Sequence, residues 1–353
     1  MDFGYYILNT YVPELDGTAT ELYGRYREQI QAAEAAGFDT IWATEHHFRT
    51  FGGMTPNPQM LLAVIGQWAP KLRLGSSVSI LPLRNPLQVA EDFAVLDVLT
   101  DGRLEFGAGR GMVLSGFAGF EVDWNTAQDR MKEALTLIER LWTEPRVSFA
   151  GQFFQCENIA LMPRPVQQPR PPIWVTANTD PESFRWIGAR GYDLMTLPWL
   201  FPPERSRELV GTYREARLAA GHTAPPRIMA MYPAHVAETT ALARERCEAA
   251  WHRWRDFIVE EVRADPLRHQ EADRRSAMLS YDNMVAERRA IFGSVEDCVA
   301  TVRWLADTFG LTHLGLTFHF GGLDQAAGLS AVDLWGRAVA PAVNGALGAG
   351  AGR

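Results

Sequence analysis

A short apolar run, Thr40-Ile41-Trp42-Ala43-Thr44, ends in a carboxylate and two adjacent imidazoles, Glu45, His46 and His47, followed by Phe48. Carboxylates and imidazoles are the side chains best suited to moving protons near neutral pH. Neighbours on an extended segment point to opposite faces, so His46 and His47 are not expected to grip one metal ion together. No later His set at ligand spacing completes such a site, and no metal is predicted. One imidazole is expected to face a site as an acid, base or hydrogen-bonding group, while Glu45 or a backbone carbonyl fixes its neighbour.

Three further segments carry chemistry. In Gly107-Ala108-Gly109-Arg110-Gly111 a strand runs into small residues around one arginine, where backbone and guanidinium can approach an anion closely. In Thr176-Ala177-Asn178-Thr179-Asp180-Pro181-Glu182-Ser183 a strand meets a helix start. The first N–H groups there can bind phosphate, with Asn178, Thr179 and Ser183 adding donors, or can be capped by Thr179 or Asp180. In Gly75-Ser76-Ser77-Val78-Ser79 small residues at a strand end would let a flat ligand lie against the backbone.

Positioning these segments takes a repeating scaffold. Leu22, Tyr26, Ile30, Ala33 and Ala36 recur at helical spacing and Gly37 stops that helix just before the Thr40 run. Strand-like runs are expected over 3–8, 39–44, 72–80, 104–108, 173–177, 193–197, 227–235 and 313–318, with helical patterns in nearly every gap. Such alternation implies parallel strands with helical crossovers, and eight units close a (β/α)8 TIM barrel. Catalysis in that fold sits at the C-terminal ends of the strands, where Glu45 and His46 fall. One domain over 1–344 is expected, with a hairpin insertion at about 146–172, a helical, lid-like insertion at about 251–292, and a flexible tail at 345–353. Phe3, Tyr5, Trp42, Phe117, Trp199, Met231 and Phe318 are candidates for pocket wall or barrel core.

The 353 residues, 47% of them apolar, suffice for one large core. A net charge of −8, with basic residues scattered among acidic ones, argues against nucleic acid and for a small-molecule ligand. Cys156, Cys247 and Cys298 are far apart, which argues against a disulfide framework and for a reducing cytoplasm. The start of the chain has no leader-like pattern and no apolar run reaches about 18 residues, so no membrane association is expected.

Taken in order, Gly37-Phe38-Asp39, Glu45-His46-His47-Phe48, Leu81-Pro82 with Asn85-Pro86, Glu91-Asp92, Leu96-Asp97, Gly102-Arg103 and Gly107 to Gly111 resemble the bacterial luciferase-like monooxygenases, above all the luciferase alpha subunit. The resemblance implies a barrel that binds FMN in its reduced form, FMNH2, supplied by a separate flavin reductase. It implies reaction with O2 through a C4a-hydroperoxyflavin and oxygenation of a hydrophobic organic substrate. By the same resemblance His46 matches the catalytic histidine and Arg110 the arginine on the flavin phosphate. Asn178, Thr179 and Ser183 fall in the second phosphate segment, and Ser77-Val78 falls where a cis peptide underlies the flavin ring. Gly109 stands where the luciferase has a cysteine, a change expected to enlarge the pocket. Glu45, His47, Trp199 and Trp254 are assigned to the substrate pocket or the lid. The family also implies a homodimer through the helices after the second and third strands. F420-dependent hydride transfer and a non-catalytic flavin-binding subunit share the architecture and stand as alternatives.

Overall fold

The computed structural model describes residues 1–350 apart from residue 9 and residues 265–268. Eight parallel strands close on themselves: β1 (Asp2–Ile7), β2 (Thr40–Ala43), β3 (Arg73–Ser76), β4 (Leu104–Gly109), β5 (Ile173–Thr176), β6 (Asp193–Thr196), β7 (Ile228–Val236) and β8 (His313–Thr317). Closure runs through Tyr5 opposite Leu316 on one side of β1 and Tyr5 opposite Ile41 on the other. Most strand residues are buried, as expected of strands held between a filled interior and an outer ring of helices. Trp42 and Trp174 meet edge to face at 5.6 Å, while Phe3, Tyr5 and Phe318 are fully in the core rather than in a pocket wall.

The helices begin where local chemistry says they should. Thr18 and Glu21 form a reciprocal capping box ahead of Ala19–Ala35. Asn57 and Asn85 each cap a helix whose first residue is proline, Pro58–Trp68 and Pro86–Leu99. These caps fix where each crossover leaves its strand, and therefore where the strand ends lie.

The eight expected strand runs all appear, with one internal difference. The run at 72–80 is broken after Ser76 by a cis Ser77-Val78 peptide, and Ser79–Ile80 then pairs with β4. The hairpin expected within 146–172 is formed by Val147–Ala150 and Gln155–Ile159. The insertion expected from 251 has its first boundary inside a long helix, Thr240–Ala264, and continues through Ala272–Met278 and Tyr281–Ala286. It ends in a strand, Ile291–Gly293, that adds to β7. Three residues are too few to show a strand period in the sequence, so the segment carries only the helical pattern around it. Residues 265–268 of the insertion and 351–353 of the expected tail lie outside the described residues. Residues 345–350 of that tail continue the helix Ala340–Gly350, since its alanines are strong helix formers and Val343 is buried. No helix among the described residues is long and apolar enough to cross a membrane.

Candidate functional site

The C-terminal ends of the strands open into a cavity of about 1060 Å³, covered on one side by the long insertion. His46, Ser77, Val78, Arg110, Asn178, Thr179, Ser183, Trp199 and Trp254 all border it, as do Glu45 and His47. Residues far apart in sequence are thus gathered because each ends a strand or starts the loop after it.

His46 and His47 turn to opposite sides. His47 Nε2 lies 2.9 Å from Glu45 Oε1, and the same carboxylate accepts hydrogen bonds from Arg84 Nε (2.9 Å) and the Ile80 amide (3.1 Å). Glu45 is therefore a buried anchor, committed to three donors, rather than a group free to meet substrate. Its removal would strand Arg84 and His47, which is the costly way to break a buried ion pair. His46 instead packs edge-on against Phe51 at 6.0 Å and faces the cavity. Burial, with Arg49 and His47 adding to it, pushes the His46 imidazole down to about 3, so the ring is neutral at ordinary pH. A neutral imidazole can accept a proton on one ring nitrogen while donating from the other.

The loop after His46 is itself tied to the long insertion. Phe51 packs at 5.5 Å against Trp254 of Thr240–Ala264. Arg49 lies 5.0 Å over the Phe51 ring and pairs with Glu261 of the same helix at 3.2 Å. Gly52 has φ +72°, and a Cβ there would fall 2.6 Å from His46 Cδ2 and 2.9 Å from Leu8 Cδ1. Gly52→Ala should therefore displace the His46 ring as well as strain the backbone. We expect roughly a tenfold loss in kcat, within the range for a misplaced catalytic group, with cofactor affinity little changed. Unaltered turnover in this variant would show that ring placement is not limiting.

On the opposite wall Arg110 stacks at 4.5 Å on Trp124, and Nε donates only a long bond, 3.4 Å, to the Gly111 carbonyl. Burial lowers its pKa, with Asp180 pulling the other way, so the cation sits in a place short of counter-charge. Of the two readings the sequence left open for the neighbouring helix start, the structure has the capped one. Asp180 accepts hydrogen bonds from the Glu182 and Ser183 amides and from Ser183 Oγ, capping Pro181–Ala189 with its own carboxylate. Asn178 Oδ1 accepts the Leu197 amide at 2.8 Å and so joins the ends of β5 and β6. Of the expected phosphate donors, Arg110 is held ready for an anion, the Ser183 amide and hydroxyl are spent on Asp180, and Asn178 is tied to the Leu197 amide through its carboxamide oxygen.

Beneath these lies the Ser77-Val78 peptide. Tyr6 donates its hydroxyl to the Ser77 carbonyl (2.8 Å), and Ser77 Oγ donates back to the Tyr6 oxygen (3.0 Å). Gly109 does not enlarge the cavity and does not line it. A Cβ there would lie 2.5 Å from Val78 Cγ2 and 2.7 Å from Thr176 Cγ2, so these methyl groups occupy the space that the missing side chain leaves. Phe117, Trp199 and Met231 do line the cavity, whereas Trp42 does not.

Sequence reasoning missed Tyr6, Arg49, Phe51 and Gly52, together with Met195 and the insertion residue Met278. The run Arg49-Thr50-Phe51-Gly52-Gly53, one residue after the histidines, was the available signal. Among the described residues no group of three or more His, Cys, Asp or Glu is placed to hold a metal ion.

The donor set suits a flavin: a cation for phosphate, small-residue backbone for a flat ring, and a neutral imidazole in the same cavity. Comparison with known proteins points the same way. A monooxygenase from Streptomyces bottropensis has the same fold, with a TM-score of 0.85 and 26% identity over 97% of this chain and 99% of that one. The FMN complex of the oxygenating constituent of 3,6-diketocamphane monooxygenase from Pseudomonas putida shares the fold at a TM-score of 0.81 and 19% identity, covering 97% of this chain and 98% of its own. An F420-dependent secondary alcohol dehydrogenase does so at 0.74 and 20%, covering 97% and 98%. In sequence, the oxygenase component of flavin-dependent trigonelline monooxygenase from Acinetobacter baylyi is 30% identical over 63% of this chain and 61% of its own length. The 4-hydroxyprotoasukamycin monooxygenase of Streptomyces nodosus subsp. asukaensis is 27% identical over 88% and 84%. The chain spans only about half to three-fifths of the first curated relatives it matches (52%, 61% and 61%). The family model described as luciferase-like monooxygenase matches residues 1–312, and the chain belongs to that family.

Proposed function

We propose that this chain is the oxygenase of a two-component, FMNH2-dependent monooxygenase acting on a hydrophobic organic substrate, with reduced flavin delivered by a separate reductase. The observation that carries the reading is Arg110, a half-buried cation short of counter-charge, sharing one cavity with the neutral His46. Arg110 would hold the phosphate, and Thr179 lies on the same wall. The Ser77-Val78 backbone, fixed by Tyr6, would support the ring system. Reduced FMN, when bound, supplies the two electrons that let O2 give one oxygen atom to substrate and one to water. The chain's part is to orient both ligands, to accept and return a proton at a ring nitrogen of His46, and to keep bulk water out under the Thr240–Ala264 insertion.

The test is anaerobic binding of FMNH2 and of reduced F420, followed by mixing of each complex with O2. Tight FMNH2 binding with oxygen uptake supports the reading. Preference for F420 without oxygen uptake would replace it with hydride transfer. Arg110→Ala should weaken FMNH2 by roughly 10–100-fold, the loss typical of a charge-assisted phosphate contact, and leave reduced riboflavin nearly unaffected. Equal losses for both flavins would remove the phosphate role.

The pair of helices Pro58–Trp68 and Pro86–Leu99 leaves Met60 (69%), Val64 (42%), Val95 (41%), Val98 (43%) and Leu99 (60%) exposed. Apolar surface exposed on these two helices suits a second copy of the chain. A homodimer is expected in light scattering at micromolar concentration, and a monomer there would exclude it. All three cysteines are free, in keeping with action in the cytoplasm.

A further inference from the structure

Arg289 lies near the end of the long insertion, two residues ahead of the strand Ile291–Gly293, and it is only 6% exposed. Nε donates to Glu287 Oε2 at 2.6 Å and Nη1 to the Trp199 carbonyl at 2.7 Å, so the guanidinium ties the insertion to the loop after β6. Nη2 has no hydrogen-bond acceptor among the described residues, and unlike Arg49 Nε it is not sealed away from solvent. Arg289 borders the cavity. A guanidinium carries five N–H donors and no acceptor, and donors in buried side chains are nearly always bonded, so Nη2 calls for an acceptor from the contents of the cavity.

The surrounding charges say which acceptor. Among the described residues on the cavity, the insertion supplies three arginines, Arg274, Arg275 and Arg289, and one carboxylate, Glu271, which lies 3.9 and 3.7 Å from the first two. The other two carboxylates on the cavity are committed, Glu45 to Arg84 and His47 and Asp180 to its own helix start. Glu287, the partner of Arg289, is half exposed and does not border the cavity. An anion would therefore bring both the missing acceptor and the missing charge, in a bond stronger than a neutral oxygen could make. Ile258 and Met278 of the insertion and Met231 of β7 border the same cavity, which suits an apolar body behind one anionic end. Arg110 follows β4, whereas Arg289 is bound to the loop after β6, so this cation is distinct from the one offered to the flavin phosphate.

We propose that the substrate carries a carboxylate on its apolar body and that Arg289 Nη2 receives it. Arg274 and Arg275 add attraction from the insertion. The assignment rests on the oxygenase reading of the cavity, in which Arg110 serves the cofactor.

The experiment compares 2-naphthoate with 2-naphthamide, probes of one shape that differ in charge, by calorimetry near neutral pH with FMN present. Wild type, Arg289→Gln and Arg289→Met are measured. Wild type should bind naphthoate roughly tenfold more tightly than naphthamide, the worth of a charge-assisted hydrogen bond. The ratio should approach one in both variants while naphthamide and FMN affinities hold. Glutamine can still donate to the Trp199 carbonyl, so its effect reports the charge and not the tie to that loop. A readout that needs no substitution is proton uptake, obtained by repeating the wild-type titration in buffers of different ionisation enthalpy. None is expected, because a carboxylate beside a guanidinium binds as the anion. The proposal is overturned if neither probe binds, if wild type shows no preference, if the ratio survives both substitutions, or if naphthoate takes up a proton on binding. It is also overturned if the substitutions weaken FMN instead, because Arg289 would then serve the cofactor. The oxygenase reading is judged on FMNH2 and O2 without either probe, so each can fail alone.

Discussion

His46→Ala is expected to lower kcat for substrate oxygenation by roughly 10²–10⁴-fold, the usual contribution of a positioned acid or base. Binding of FMNH2 should be nearly unchanged, because Arg110 and the Ser77-Val78 backbone follow the ends of other strands. The argument is geometric first. His46 borders the cavity, its ring is seated by Phe51 and Gly52, and its neighbour His47 is bound to Glu45 and cannot substitute for it. The neutral state follows from burial, and a ring held down to about 3 starts each cycle able to take a proton. Stopped-flow turnover alongside anaerobic flavin titration separates the two effects. Full activity in the variant would falsify the proton role, and equal loss of flavin binding would recast His46 as a cofactor contact.

The second large effect is acid lability. Burial holds His46 and His319 down to about 3 and His235 down to about 4. In the unfolded chain each imidazole titrates near 6.5. Below that pH the unfolded state takes up protons that the folded state refuses, so stability present above about pH 6.5 is lost as the pH falls toward the folded values. By pH 4 the three histidines together should cost on the order of 5–10 kcal/mol, comparable with the whole stability of an ordinary domain. Thermal unfolding from pH 8 to pH 4 should show a steep fall in midpoint beginning near pH 6. A midpoint that stays level to pH 4.5 would mean that these rings protonate within the fold.

The barrel was legible because its signals are local. Apolar strand runs, Asn-Pro and Asp-Pro helix starts, and Gly37 after an amphipathic helix each declare an element over a few residues. The opposite facing of His46 and His47 followed from strand geometry alone. What the sequence could not show depends on strand closure and side-chain reach. The sequence left the helix start at Pro181 open to a phosphate or to a cap, and only the structure shows Asp180 turning its carboxylate onto it. Gly109 looks like added space in one dimension, and only the approach of Val78 and Thr176 shows that it is filled. Arg49 and Glu261 come from segments on either side of most of the barrel, and no local pattern links them.

That last contact bears on how the reaction could be timed. Phe51 and Arg49 touch the long helix Thr240–Ala264 through Trp254 and Glu261, and Phe51 also braces His46. A helix that lifts away to admit substrate must release the brace as it goes. Proton transfer would then be weakest while solvent can reach the cavity and strongest once the helix has seated, so sealing and arming the site become one mechanical event.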